Sequence, residues 1–129
     1  MKIEVKPCEN ADVQRFAGDA KKEGVSLRAT GATEWFLAVD GEAVVGCVAL
    51  MRVGSAGRLK GAFVPPELRR RGIYRAMLEA VIAHGIEHGY RIFEGNAYHP
   101  AAPGTLAKLG FEHVGNNGKV PIYRRVVRE

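Results

Sequence analysis

The sequence predicts a single α/β (α+β) domain: one layer of mixed β-sheet flanked by helices, in the order β-α-βββ-α-β-α-ββ. Three observations predict this class. Residues 35–64 contain three apolar runs separated by tight-turn signals, which indicates a meander of antiparallel strands. Residues 73–86 carry an apolar stripe at helical spacing, and a strand-like run follows at 90–94. A length of 129 residues is typical of one domain, so the domain is expected to span residues 1–129.

The first half of the chain predicts a strand, a helix and the meander. Residues 3–6 alternate apolar and polar side chains, which predicts a short strand ended by Pro7. Asn10 is a suitable cap for a helix whose apolar spacing ends at Gly24. The pair Asp40-Gly41 is a strong hairpin signal. The three strands of the meander are expected at 35–39, 43–52 and 59–64, the last one stopped by Pro65-Pro66.

The second half predicts a strand–helix–strand crossover followed by a hairpin. The long helix begins near Ile73 and ends near Gly89. A strand at 90–94 and a short helix ending near Gly110 come next. The final strands are expected at 111–114 and 120–127, joined by a turn at Asn116-Asn117-Gly118. A crossover makes its two strands parallel, and ligands of such sheets bind at the carboxyl ends of those strands.

Composition and charge set the cellular expectations. The formal charge of +5 favours acidic ligands, although weakly. Cys8 and Cys47 are too few for a disulfide scaffold, which favours a reducing, cytoplasmic setting. The longest apolar run, residues 43–51, is too short to span a bilayer, and the chain shows no pattern of a secretory signal. No membrane partner is therefore expected.

The stretch LRRRGIY, residues 68–74, stands where the crossover strand gives way to the long helix. The first turn of a helix has N–H groups without internal partners and a partial positive charge. A glycine at that turn allows an anion to approach the backbone closely, so a phosphate ligand fits this position. From the residues alone, a solvated charge run and a patch for nucleic acid remain alternatives.

Two motifs resemble those of the GNAT superfamily of N-acetyltransferases. VPPELRRRGIYRAML, residues 64–78, resembles the family's coenzyme-binding segment, and HPAAPGTLAKLGF, residues 99–111, resembles its Asn-Pro-Ala-Ala segment and the short helix that follows. The resemblance covers nearly all of the chain from Trp35 onward. It implies acetyl-coenzyme A as the acyl donor, direct attack by a small-molecule or peptide amine, and no metal. A homodimer is compatible with the short N-terminal half.

The resemblance also implies a set of cofactor-binding residues. Backbone amides of the loop and first helical turn hold the pyrophosphate, the preceding strand binds the pantetheine arm through its backbone, and a polar residue ends the next strand. By position in this sequence, these residues are Arg69, Arg70, Arg71, Gly72, Ile73, Tyr74 and Arg75 for the pyrophosphate, Phe63 and Val64 for the pantetheine, and Asn96.

Three positions depart from the family's pattern. Tyr74 stands where a small residue is usual, Leu106 where a catalytic tyrosine is common, and His99 where an asparagine precedes Pro-Ala-Ala. The strand at 58–64 also has no carboxylate to serve as a base. An alkyl amine with a pKa near 10.4 is about 0.1% neutral at pH 7, so a base or a desolvating pocket is needed.

The nearest titratable candidates for catalysis are Glu94, Tyr98 and His99. For each, a structural role is the alternative: an exposed ion, a cover for the core and a loop cap, respectively. A second hypothesis follows from the departures: a module that binds coenzyme A or a nucleic acid without turnover. His84 and His88 have a spacing that suits a metal, but no third ligand is evident, so solvent-facing roles are expected.

Overall fold

The computed structural model, which describes residues 2–98 and 102–128, contains a seven-stranded sheet with helices on both faces. Its strands are β1 (Ile3–Cys8), β2 (Thr33–Asp40), β3 (Ala43–Val53), β4 (Ala56–Phe63), β5 (Ile92–Asn96), β6 (Glu112–Asn117) and β7 (Val120–Val126). Its α-helices are α1 (Asn10–Val13), α2 (Ala17–Lys22), α3 (Ile73–Glu87) and α4 (Ala102–Lys108). The predicted fold class and the order of its elements are confirmed. The predicted first helix is divided, because a 3₁₀ turn, Gln14–Phe16, separates α1 from α2.

The sheet contains a single parallel strand pair among the described residues. The strand order is β1-β2-β3-β4-β5-β7-β6, and every neighbouring pair except β4 and β5 is antiparallel. Helix α3 connects the two parallel strands, as the predicted crossover requires. The carboxyl ends of β4 and β5 therefore point to the same edge of the sheet.

The parallel pair separates before β4 ends. Pairing runs from Ala56 opposite Ile92 to Leu59 opposite Gly95, whereas β4 continues to Phe63. Within the described residues, the β5 side of β4 has no strand partner beyond Leu59. The register between β3 and β4 also shifts here, and Gly61 has a φ of +60°. A bulge of this kind increases local twist, which is consistent with the opening of the sheet at this point.

Two hydrophobic cores cover the two faces of the sheet. On one face, Met77 and Val81 of α3 pack with Phe93 and with Leu106 of α4. On the other face, residues of α1 and α2 pack against the meander in a smaller cluster: Val13, Phe16, Ala20, Leu27, Trp35, Cys47, Ala49 and Phe63. The members of that smaller cluster all precede β5, and none of the helices in the described part of the chain covers β5–β7 on this face.

Several element boundaries differ from the prediction for identifiable reasons. β1 continues through Pro7 because it is an edge strand, where a proline removes no required ladder bond. The side chain of Asn10 donates to the Leu27 carbonyl at 2.9 Å, and Glu9 takes the capping position instead. β5 begins at Ile92, two residues later than predicted. The reason is that the Tyr90 N–H donates to the Gly85 carbonyl and so belongs to the C-terminal end of α3.

Candidate active site

The opening between β4 and β5 contains a cavity of about 270 Å³. It extends through the sheet, since residues from both faces line it. The side of α3 and α4 contributes Tyr74, Leu78, Ala102 and Leu106. The remaining lining residues come from the loop after α2, from the strands and from the segment after β5: Gly24, Val25, Ser26, Met51, Arg58, Leu59, Lys60, Gly61, Ala62, Gly95, Asn96 and Tyr98.

The loop before α3 leaves a row of backbone donors free. Arg70 and Gly72 have left-handed φ values of 65° and 82°. The first helical hydrogen bond runs from the Ala76 N–H to the Gly72 carbonyl at 3.0 Å, and no side chain caps the helix. The N–H groups of residues 70–75 have no backbone partner within the described part of the chain. No atom lies within 4 Å of where a Cβ on Gly72 would stand, so an anion has room to approach.

The arginines of this loop divide into two groups. Arg69 points inward: its Nε donates to the Val64 carbonyl at 2.8 Å, and its guanidinium pairs with Glu23 at 2.5 Å. Its Cζ also lies 5.6 Å from the centre of the Phe63 ring. These contacts fasten the loop to the end of α2. Arg70 and Arg71 are exposed and have no ion pair among the described residues, so their charge is available at the free N–H groups.

Arg75, the last of the predicted cofactor-binding arginines, lies on the first turn of α3. Its Nε donates to the Glu79 carboxylate at 2.7 Å, one helical turn further along. Both side chains are about half exposed, at 51% and 52%. The pair is therefore a solvated one, and Arg75 remains beside the loop without reaching the cavity lining.

The side chain of Tyr74, which stands where the motif usually has a small residue, points inward. The side chain lines the cavity and packs against the core of the α3 face, away from solvent. Burial raises the pKa of Tyr74 to about 12, so its hydroxyl stays protonated across the ordinary pH range. Leu106, at the usual tyrosine position, lines the same cavity and is buried.

The three predicted catalytic candidates have different surroundings. Tyr98 lines the cavity and is 56% exposed. Glu94 is absent from the cavity lining, and its carboxylate is held by Arg124 at 2.8 Å and Arg58 at 3.7 Å. The Glu94 carboxylate is thus paired with two arginines and lies outside the cavity lining. His99 lies outside the described residues.

The predicted cofactor residues on the strands differ in their relation to the cavity. Phe63 ends β4, Val64 follows it, and both are buried. Asn96 ends β5 and lines the cavity. Asn96 and Tyr74 are thus the predicted cofactor residues that line the cavity, while Phe63 and Val64 lie buried at the end of β4.

Sequence reasoning missed the charged residues on the other side of the cavity. Arg58 and Lys60 line it from β4. The sequence contains a signal for them: both positions alternate with Leu59, so they share the face opposite a core residue. Nothing in the sequence shows that the sheet opens beside them, because the opening depends on where pairing with β5 stops.

The histidines on α3 form contacts away from the cavity. His84 Nε2 lies 3.0 Å from a Glu34 carboxylate oxygen, and the His84 ring stacks on His88 with centroids 4.2 Å apart. Among residues 2–98 and 102–128, no group of three or more His, Cys, Asp or Glu side chains is arranged to hold a metal ion. In the same part of the chain, every helix is too short or too polar to cross a membrane.

The sheet that divides at its parallel pair and the glycine turn that opens α3 together define an acetyltransferase fold. The chain belongs to the GNAT acetyltransferases: the family described as acetyltransferase (GNAT) domain matches residues 4–122. No curated protein sequence matches the chain.

Solved structures of GNAT proteins share this architecture. An acetyltransferase of the GNAT family from Staphylococcus aureus has a TM-score of 0.75 and 14% identity, with 98% of this chain and 100% of that chain covered. The ribosomal-protein-S18-alanine N-acetyltransferase of Escherichia coli has a TM-score of 0.79 and 14% identity, with coverages of 99% and 96%. The PaiA N-acetyltransferase of Thermoplasma acidophilum, in complex with coenzyme A, has a TM-score of 0.77 and 12% identity, with coverages of 98% and 99%. At these identities the likeness establishes the fold alone.

Proposed function

We propose that the protein transfers an acetyl group from acetyl-coenzyme A to an amine by direct attack. The observation that carries this proposal is the position of the free N–H row at residues 70–75, directly beside a cavity that passes through the sheet. One ligand bound at the loop reaches a second ligand that enters from the opposite face. The coenzyme A complex of the Thermoplasma relative supports the choice of donor.

The residues fit the donor in two places. The N–H groups of residues 70–75, with the positive charge of Arg70 and Arg71, suit the pyrophosphate. The free edge of β4 leading to Phe63 and Val64 suits the extended pantetheine arm, whose amides bond to strand backbone. Arg69 contributes by fixing the loop, since its side chain is turned toward Val64 and Glu23.

The lining of the cavity favours the neutral form of the acceptor amine, although none of its described residues is a carboxylate base. Acetyl-coenzyme A, when bound, supplies a thioester carbonyl as the electrophile. Leu78, Ala102 and Leu106 line the α3 side of the cavity, and an apolar lining disfavours the ammonium form of an amine. An incoming amine thus loses its proton more easily here than in water. Tyr74, which keeps its hydroxyl proton, is able to donate a hydrogen bond to the departing sulfur, and Tyr98 is the other hydroxyl at the cavity.

A non-catalytic coenzyme A-binding module is the second candidate. Leu106 in place of the usual tyrosine and the pairing of Glu94 with Arg124 favour it. Both functions require coenzyme binding, and only the first releases free thiol in the presence of an amine. Thiol release therefore distinguishes them.

Calorimetric titration with acetyl-coenzyme A tests the proposal, and Gly72→Ala with a matched control localises the site. Gly72 and Gly118 both have left-handed φ values and open space around them, so Gly72→Ala and Gly118→Ala introduce comparable backbone strain of about 1 kcal/mol. Only the Gly72 variant obstructs the loop, so its affinity is expected to fall about tenfold or more, while that of Gly118→Ala stays unchanged. Charge reversal in Arg71→Glu is expected to weaken binding as well. No heat with the intact protein would refute the proposed function.

A further inference from the structure

The side of the cavity opposite α3 is rich in positive charge. Because Leu59 packs in the core of the α3 face, its neighbours Arg58 and Lys60 lie on the other face, where no helix of residues 2–98 and 102–128 covers β5–β7. We propose that this surface recognises the acceptor: a small amine that also carries a carboxylate or phosphate group, bound by Arg58 and Lys60. The inference rests on the proposed acetyl transfer and names the substrate class that this site accepts.

The lining of the cavity contains donors and no acid. Besides Arg58 and Lys60, its polar side chains are Ser26, Asn96 and Tyr98 together with Tyr74 on the α3 side, and none of its described residues is Asp or Glu. Hydroxyl and amide groups are able to hydrogen-bond to an anion, and the two cations provide the charge. An ammonium-rich acceptor would find no carboxylate inside this cavity.

The nearby carboxylate neutralises these cations only in part. Glu94 lies 3.7 Å from Arg58 but only 2.8 Å from Arg124, so one negative charge serves two guanidinium groups. Lys60 donates to the neutral hydroxyl of Thr30 at 3.2 Å. Burial and then the Arg58 guanidinium lower the pKa of Lys60, which is the expected behaviour of a cation without an anionic partner. A carboxylate or phosphate from the acceptor would supply that partner.

The size of the cavity limits the acceptor. A volume of about 270 Å³ is at the small end of ligand sites, and the acyl end of the donor occupies part of it. An amine of amino-acid size fits the remainder. Its anionic group would pair with Arg58 and Lys60, and its amine would point through the opening toward the α3 face.

A series of three acceptors with the same carbon chain and different charge tests the inference: 4-aminobutyrate, 4-aminobutyramide and 1,4-diaminobutane. We expect kcat/KM for 4-aminobutyrate to exceed that for the amide by about tenfold, and that for the diamine by more. 3-Aminopropyl phosphate, measured beside 4-aminobutyrate, shows which of the two anions the site prefers. The preference is expected to decrease as salt is added, because the cations are partly exposed.

Variants of Lys60 assign the preference to this surface. Lys60→Met is expected to reduce the ratio between 4-aminobutyrate and the amide about fivefold, and Lys60→Glu to reverse the order of 4-aminobutyrate and the diamine. Lys2→Glu, an equal charge change at an exposed residue before β1, is the control and should retain the wild-type order. Thermal unfolding of each variant verifies folding, and Lys60→Met carries the test if Lys60→Glu does not fold.

The outcomes separate this inference from the proposed function. If acetyl-coenzyme A binds and all three acceptors react equally, or the diamine reacts fastest, the inference is wrong and acetyl transfer stands. The same holds if Lys60→Met and Lys2→Glu change the ratio alike. Acetyl-coenzyme A that binds without transfer to any acceptor of the series also overturns the inference. The proposed function itself is refuted by a failure to bind acetyl-coenzyme A, or by a lack of thiol release with every amine tested, inside and outside this series.

Discussion

Tyr74 and Leu106 line the same cavity from different helices. In the family's pattern, a small residue is usual at the position of Tyr74 and a tyrosine is common at the position of Leu106. In this chain, the tyrosine is at the first of these positions and an aliphatic residue is at the second. A phenol therefore remains in the cavity, carried by α3 instead of α4. Tyr74 is therefore the residue to test as proton donor in place of the usual tyrosine.

The residue-scale prediction concerns this hydroxyl. Because burial raises the pKa of Tyr74 to about 12, the phenol keeps its proton throughout an assay from pH 7 to about pH 10. If Tyr74 is the donor, the rate should rise with pH as the amine deprotonates and should not fall near pH 10. Tyr74→Phe should lower kcat about tenfold or more with little change in acetyl-coenzyme A affinity. Steady-state kinetics across this pH range, combined with calorimetry, provides the measurement.

Tyr98→Phe is the matched control, since Tyr98 lines the same cavity but is exposed. It should change kcat less than about twofold if Tyr74 is the donor. A normal rate for Tyr74→Phe together with a slow Tyr98→Phe would assign the role to Tyr98 instead.

At this scale, the sequence located the loop but not the directions of its side chains. The residues around Gly72 predict a glycine turn at the start of a helix, and the turn is there. They do not show that Arg69 turns toward Val64 and Glu23, because Glu23 is 46 residues away in the chain. The inward direction of Tyr74 likewise depends on its packing against the sheet.

At the scale of elements, β4 determines the geometry of the site. Its first half pairs with β5, and its second half borders the opening. Gly61 marks the change. A Cβ at this position would stand 2.9 Å and 3.0 Å from ring carbons of Trp35, and the φ of +60° disfavours any other residue. The bulge thus requires glycine for two independent reasons.

Gly61→Ala is expected to lower the free energy of unfolding by about 2–3 kcal/mol, of which left-handed strain accounts for about 1–2 kcal/mol. Urea denaturation measures this change. Gly54→Ala is the control: Gly54 has a φ of +61° in the β3–β4 turn, and no atom lies within 4 Å of the point where its Cβ would stand. It should show the strain without the collision against Trp35. Equal losses for the two variants would mean that the Trp35 contact contributes nothing.

The same element shows why strand boundaries are harder to predict than strand existence. Gly54, Ser55, Ala56 and Gly57 together suggest a four-residue turn, which places the start of the strand at residue 59. The structure limits the turn to Gly54 and Ser55. Gly57 belongs to β4 because a Cβ there would stand 2.8 Å from Leu50 and 3.2 Å from Tyr90, so close packing requires a glycine inside the strand.

At the scale of the whole molecule, the start of α3 keeps positive charge that several other arginines lose to ion pairs. The formal charge is +5, but Arg69, Arg75 and Arg124 are each paired with a glutamate. Arg70 and Arg71 remain available at the start of α3. Two cations beside a row of N–H groups match a compact pyrophosphate better than the long, regular charge of a duplex.

Thermal unfolding with each ligand discriminates between these two partners. Acetyl-coenzyme A at a hundredfold excess over its dissociation constant should stabilise the folded protein by about 2.7 kcal/mol, which corresponds to a rise in Tm on the order of 10 °C for a domain of this size. A duplex of about 20 base pairs at the same concentration should raise Tm by less than about 1 °C at roughly 0.15 M salt. The reason is that few cations of the protein are spaced to meet successive phosphates of the duplex. The acetyl-coenzyme A shift should persist in Gly118→Ala and shrink in Gly72→Ala, since only Gly72 borders the free N–H groups. A larger shift with the duplex, falling steeply as salt is raised, would identify nucleic acid as the partner and α3 as part of its binding surface.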